Sequence, residues 1–383
     1  MSRRDRSSAA APAACIDGAA VGSAVALDRA TALLASARRL LVTGLADATL
    51  EAIQAACDLA EAVGGAIDAA AAEVASPAAP LVARSGSITA DVGELRDRAD
   101  LVLLWQAAPD ALEPGFAADV LAAPLADGSR REVIVVGPEA LAGSRHLPLP
   151  GEAAVDAARL LHAMLLGHPL PAGNPAADVV AEACRELEAA IRVAGCVGIV
   201  SWPTADPLGL SHWAVSLLVR AINHERPAFS VPLAPSPAGR LANAAGAAAV
   251  LTWRYGASGA IARADRLGGD FRPAECSAAT MIDRGEVDVV LAVGRLPPEV
   301  EAAIASRSAD LAVIRVDDRS DEPPGCARPC VHIRCGPSAG TILRTDGREQ
   351  AVGADEAAGG ASMTAVLESL RGRLDRLSRG LPS

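Results

Sequence analysis

Seven short, largely β-branched runs recur along the chain, most of them continuously apolar and leading into a turn and an Ala-rich stretch. They lie at residues 39–44 (RLLVTG), 100–106 (DLVLLWQ), 132–137 (EVIVVG), 195–202 (GCVGIVSW), 288–294 (DVVLAVG), 310–316 (DLAVIRV) and 330–335 (CVHIRC). A strand half-exposed to water alternates apolar and polar residues, whereas a strand covered on both faces reads as a continuous apolar run. Strands of the second kind separated by helices demand right-handed crossovers and a parallel, doubly wound α/β sheet. The run at 330–335 is the exception: Val331 and Ile333 alternate with His332 and Arg334, the pattern of an edge or terminal strand with a surface His.

Helical patterns fill the intervals at 47–63, 151–166, 177–194 and 212–223, the first opening on Asp47, a favoured N-cap residue. Residues 361–381 place Met363, Val366, Leu367, Leu370, Leu374 and Leu377 mostly three to four apart, one amphipathic C-terminal helix. Residues 1–25 read as a flexible leader, 143–151 and 167–175 as Pro/Gly-rich connections, and 317–329 as a charged surface loop. At about 150 residues per domain, 383 residues allow two or three domains or one large α/β body.

Composition narrows the function class. Hydrophobic residues make up 51% and aromatics only 2%, so the core is built from Ala, Val, Leu and Ile. Asp and Glu number 46 against 35 basic residues, all Arg, for a formal charge of −11. That balance argues against nucleic acid and against an anionic membrane surface. No stretch reaches the roughly 18 uncharged apolar residues of a spanning helix. Eight cysteines in a chain this long are too sparse for a disulfide scaffold and read as reduced, buried thiols of a cytoplasmic protein.

Standard catalytic motifs are missing. RLLVTGLADA supplies one Gly where a dinucleotide fingerprint needs three, and there is no P-loop, H-E-x-x-H or G-x-S-x-G. Cys326, Cys330, His332 and Cys335 form a marginal zinc pattern, because His332 and Cys335 on one strand point to opposite faces. His212 and His224 flank an apolar helix and read as helix-end residues packed on the core. Among so few large aromatics, Trp202, Trp253 and Tyr255 stand out. The segment 243–256 (NAAGAAAVLTWRYG) reads as a loop over a crevice at the strand ends.

Several of these segments, taken in order, are similar to the molybdopterin-type subunit of formylmethanofuran dehydrogenase. TADVGELRDRADLVLLW at 89–105 resembles that family's acidic turn and following strand. Residues 243–256 resemble its N-x-x-G…W-x-x-G stretch, RGEVDVVLAVGRLPP at 284–298 its late strand and G-x-x-P turn, and GTILRTDG at 340–347 its closing motif. The resemblance implies two Rossmann-like doubly wound lobes of the molybdopterin oxidoreductase type, lacking the N-terminal iron–sulfur domain. Residues 26–75 and 190–350 would form one lobe, discontinuous in sequence, with 76–189 inserted and 351–383 a C-terminal helix.

The chain departs from the family at its redox centre. Cys15 is alone in the first 56 residues, where an iron–sulfur cluster would need several cysteines. The family's tungsten- or molybdenum-ligating Cys falls at Val74, a side chain with no lone pair. The family's W-G-x-N-P turn becomes Trp105-Gln106-Ala107-Ala108-Pro109. These changes resemble the redox-inactive counterpart of that subunit in the bacterial formyltransferase/hydrolase complex of one-carbon metabolism and formaldehyde oxidation. There, formyl groups pass from tetrahydromethanopterin to a methanofuran-like carrier and are hydrolysed to formate. The resemblance implies a chain with no catalytic residue, metal, iron–sulfur cluster or pterin of its own. Subunits A, C and D of that complex would be its partners, and a formylated methanofuran-like carrier a further one. Trp105, Gln106, Asn243, Trp253, Arg254 and Tyr255 would lie near the former pterin crevice. Two other readings stand beside it: an active pterin-dependent formylmethanofuran dehydrogenase subunit, and a two-lobed small-molecule binding protein.

Overall fold

In the computed structural model the described residues are 14–69, 77–107, 115–168, 175–201, 208–233, 243–265, 268–307, 311–318, 330–336, 340–343, 348–352 and 361–380. The chain opens with β1 (Ala14–Ile16), β2 (Ala19–Ala20), α1 (Ser23–Ser36), β3 (Leu40–Gly44), α2 (Leu50–Val63) and β4 (Ala66–Asp68). There follow α3 (Ala79–Ser85), α4 (Val92–Arg98), β5 (Leu101–Trp105), β6 (Glu132–Gly137) and β7 (Arg145–Pro148). Then come α5 (Ala154–Leu165), α6 (Pro175–Val193), β8 (Val197–Ser201), α7 (Leu210–Ile222) and β9 (Ala228–Pro232). The last part holds α8 (Ala244–Tyr255), α9 (Ala278–Asp283), β10 (Val289–Val293), α10 (Pro298–Ser306) and β11 (Ala312–Asp317). It ends with β12 (Cys330–Arg334), β13 (Gly340–Leu343), β14 (Glu349–Val352) and α11 (Met363–Ser378).

Two compact units result. The first comprises residues 1–71, 243–343 and 349–383, and the second 72–242 with 344–348. The first unit carries a seven-stranded sheet in the order β2-β1-β12-β11-β10-β3-β4. From β12 to β4 all pairings are parallel, and β1 and β2 close one edge antiparallel. Leaving out the antiparallel edge, the order within the unit is 2-1-3-4-5, the flavodoxin-like winding. The second unit has a five-stranded, wholly parallel sheet, β7-β6-β5-β8-β9. Its order within the unit is 3-2-1-4-5, the dinucleotide-fold winding. Both are α/β sheets with helices on each face, as the continuous apolar runs require. In the first unit Leu40, Val42, Leu291, Ile314 and Val331 point toward α1, α2, α8 and α11. In the second, Leu101, Leu103, Ile134 and Ile199 pack under α5, α6 and α7, while Val102, Leu104 and Val200 meet α4 on the other face.

Several expectations are corrected. The chain returns to the first unit at residue 243, not near 190, because Val197–Ser201 and Ala228–Pro232 extend the sheet of β5. Residues 14–25 are no leader: they form a hairpin whose first strand covers β12, followed by the start of α1. Strand β12 is thereby an interior strand, and His332 is buried rather than solvent-facing, at 2% exposure. The 143–151 connection holds strand Arg145–Pro148. The residues after 350 belong to the first unit, where α11 packs on α1 and α2. Helix α2 starts at Leu50, its cap being Thr49, whose hydroxyl accepts from the Ala52 amide, rather than Asp47. Among the described residues no helix is long and apolar enough to cross a membrane.

One device recurs at the head of the central strand pair in each sheet. The Asp288 carboxylate, just before β10, accepts from the backbone amides of Arg38 and Arg39, just before β3, at 2.9 Å each. The Asp100 carboxylate, just before β5, accepts from Gly195 and Cys196, just before β8, at 2.7 and 2.8 Å. Partial burial pushes the Asp288 carboxyl upward, but the Arg39 and Arg38 amides outweigh it and hold its pKa below the ordinary carboxylate value. Its stabilisation is therefore full above about pH 4, the unfolded value, and lost as pH falls through the lower folded value. Asp288→Ala is expected to cost about 1–2 kcal/mol in urea unfolding at neutral pH. The gap to wild type should narrow as the pH is lowered below about 4, and a gap that widened instead would contradict this account.

Candidate functional site

In doubly wound sheets ligands bind beyond the carboxyl ends of the strands, where the strand order reverses. In the first unit that point lies between β3 and β10. Gly44 has φ +100°, and a Cβ there would collide with the Val293 carbonyl oxygen. Leu45, at φ +73°, donates its amide to that same oxygen at 2.8 Å. In the second unit the reversal lies between β5 and β8. Trp105 and Ser201 are register partners there, both buried, and neither Trp105 Nε1 nor Ser201 Oγ has a hydrogen-bond partner. Gln106 follows at φ +52°, a region that favours glycine, and its side chain donates to the Leu149 carbonyl at 3.2 Å. Two surface clefts, about 480 Å³ between α5 and α7 and about 470 Å³ between α1 and α11, lie on helices instead.

The residues expected at one crevice are distributed. Trp105 and Gln106 belong to the second unit, and Asn243, Trp253, Arg254 and Tyr255 to the first. Residues 244–255 form helix α8 rather than a loop, because an Ala-rich stretch with one internal Gly has high helix propensity and Gly256, at φ +82°, terminates it. Asn243 and Arg254 therefore stand at opposite ends of that helix, roughly 16 Å apart at 1.5 Å per residue. Asn243 is wholly buried and ties two segments to the start of α8: its Nδ2 donates to Ala48 O at 2.6 Å and its backbone amide to Ala46 O in the loop after β3, while its Oδ1 accepts from Leu343 N of β13 at 2.8 Å. Trp253 is 76% exposed. Val74, Trp202 and Cys326 lie outside the described residues.

Arg254 is engaged within its own unit. Its Nε donates to Glu61 at 2.8 Å, its Nη2 pairs with Asp58, and the Tyr255 hydroxyl donates to Glu61 at 3.0 Å. Burial alone would lower the Arg254 pKa, yet the Glu61 and Asp58 carboxylates carry it above its ordinary value. Burial also raises the Tyr255 phenol and pushes the neighbouring Cys57 thiol up to about 12, so both stay protonated at neutral pH.

Sheet registration assembles a polar row that separate strands conceal. On the face of the first sheet opposite α1 and α2, Cys15, His332, Arg315, Ala292, Thr43 and Asp68 are successive register partners from β1 to β4. Asp68 is buried and accepts from the amides of Ala260 (2.9 Å) and Ala278 (2.7 Å), anchoring the loop after α8 and the start of α9. Arg315 makes a two-pronged pair with Glu301 of α10 at 2.8 and 2.7 Å. His332 Nε2 lies 2.8 Å from Asp317 Oδ1. Among the described residues, no three His, Cys, Asp or Glu side chains come together as metal ligands. His212 is buried, and burial depresses its pKa; His224 is exposed.

No protein-family model and no curated protein matches the chain. Its fold is similar to that of a chain in the crystal structure of the formyltransferase/hydrolase complex FhcABCD from Methylorubrum extorquens in complex with methylofuran. The TM-score is 0.74 at 22% identity, covering 96% of this chain and 99% of that one.

Two outcomes test this geometry. Gly44→Ala is expected to destabilise by about 2–4 kcal/mol, since it combines a left-handed φ with a backbone clash. Arg254→Ala is expected to cost about 2 kcal/mol by stranding the mostly buried Glu61. Urea midpoints measure both, and an unchanged Arg254→Ala midpoint would mean the ion pair contributes nothing.

Proposed function

We propose that this chain is a non-catalytic structural subunit of a cytoplasmic formyltransferase/hydrolase complex, standing where the dehydrogenase has its molybdopterin-type subunit. The observation that carries the reading is the end-to-end fold similarity to a chain of such a complex, in agreement with the motif resemblance at 89–105, 243–256, 284–298 and 340–347. On this reading its lobes descend from the molybdopterin oxidoreductase type. Its partners are subunits A, C and D, which act on formyl groups carried by tetrahydromethanopterin and a methanofuran-like carrier.

The pterin chemistry of dehydrogenase relatives does not fit these residues. Val74 offers no donor where the metal ligand belongs, and Cys15 is a strand residue paired with His332 rather than one of a loop-borne cysteine set. Formyl hydrolysis transfers no electrons, so a subunit without iron–sulfur cluster or tungstopterin suits that reaction. Arg254, already held by Asp58 and Glu61, is not assigned to the carrier. A permanent assembly would bury roughly 2,000 Å² or more on this chain and its partners.

Co-expression with the amidohydrolase-like and formyltransferase-like subunits tests the reading. A stable heteromeric complex that hydrolyses the formylated carrier, and loses that activity when this chain is omitted, is the expected result. Full activity of the other three subunits alone would refute the scaffold role. Stoichiometric tungsten or molybdenum in the purified chain would favour the pterin-dependent dehydrogenase instead.

A further inference from the structure

The hydrogen-bonded Asp317–His332 pair has features that a purely structural contact does not need. His332 is 2% exposed and Asp317 5% in their side chains, and the Asp317 carboxylate takes up only the Nε2 side of the ring. The other ring nitrogen, Nδ1, is buried with no hydrogen-bond partner. Leaving such a buried group unmet is unfavourable, so its presence calls for a reason. Directly opposite His332, across the antiparallel β1–β12 ladder, stands Cys15. Opposite residues of such a ladder project to the same face with Cβ atoms about 5 Å apart, and Cys15 is half-buried rather than sealed in.

We propose that Cys15, His332 and Asp317 form a thiol-reactive centre that takes small carbon electrophiles. Asp317 fixes the ring so that Nδ1 is the nitrogen available to Cys15, the orienting role of the carboxylate in nucleophile–base–acid triads generally. The S–H bond of Cys15 breaks and its proton passes to Nδ1. The thiolate sulfur then forms a bond to carbon as the leaving group departs with its electron pair, and His332 returns the proton to water. Among the described residues, the charged groups facing His332 are Asp317 and Arg315 on β11, Arg334 on β12 and, through Arg315, Glu301 on α10. Arg334 is the diagonal neighbour of Cys15 in the ladder, and its Nη1 is buried without an acceptor. A cation so placed favours the thiolate. This centre is independent of the scaffold reading, since it uses one face of one sheet.

The test is alkylation of the full-length native protein by iodoacetamide, with each cysteine quantified by mass spectrometry across a pH series. Cys15 should react at about pH 6.5 at least tenfold faster than an ordinary thiol of pKa about 8.5, while buried Cys57 and Cys184 stay unmodified. His332→Asn should abolish that advantage and return the profile to that of an ordinary thiol, and Asp317→Asn should weaken it. A wild-type Cys15 profile that simply follows an ordinary thiol would overturn the proposal. That result stands whether or not the variants fold.

Discussion

Each lobe depends on pairing two strands that the chain delivers far apart. Arg39 and Asp288 are 249 positions apart, and Asp100 and Cys196 are 96 apart, yet each carboxylate ties the heads of two adjacent central strands. Such closure is slow and entropically costly before the rest of a sheet can add to it. A carboxylate bridging two consecutive amides fixes register at one end of the pair. At the other end of the first lobe's pair, Gly44 passes so close to the Val293 carbonyl that no side chain fits between them. The strand-order reversal, where such folds hold ligands, is thus defined from both sides by backbone contacts.

From that central pair outward, buried polar groups take over from apolar packing in positioning the loops. Asp68 and Asn243 each anchor two segments, all in the first lobe. Buried polar groups of this kind are tolerated only when satisfied, and both are. His332, with one nitrogen met and one not, is the contrast.

At Gln106 the backbone keeps the left-handed conformation that a glycine would adopt freely, at a cost on the order of 1 kcal/mol. The larger residue then uses its amide to hold Leu149.

The strands β3, β5, β6, β8, β10, β11 and β12 were legible in the sequence, most of them because a strand covered on both faces must be apolar throughout, and that property is local. Helices α2, α5, α6, α7 and α11 followed from periodicity, and the expectation of an altered redox centre rests on single residues, Val74 and Cys15. Other features were not legible. The alternation in CVHIRC suggested an edge, but only tertiary pairing with residues 14–16 shows that His332 is inside. The reading of 243–256 as a loop missed a helix capped by Gly256. The return point at 243 depends on which sheet Val197–Ser201 joins, and an apolar strand carries no local mark of its partner. The polar row of Cys15, His332, Arg315, Thr43 and Asp68 is likewise spread over five strands. Sequence by itself determined which segments form the central strands, since a run covered on both faces depends on side-chain type alone. Tertiary structure decided which side chains meet, since register and strand order are set by contacts between residues hundreds of positions apart.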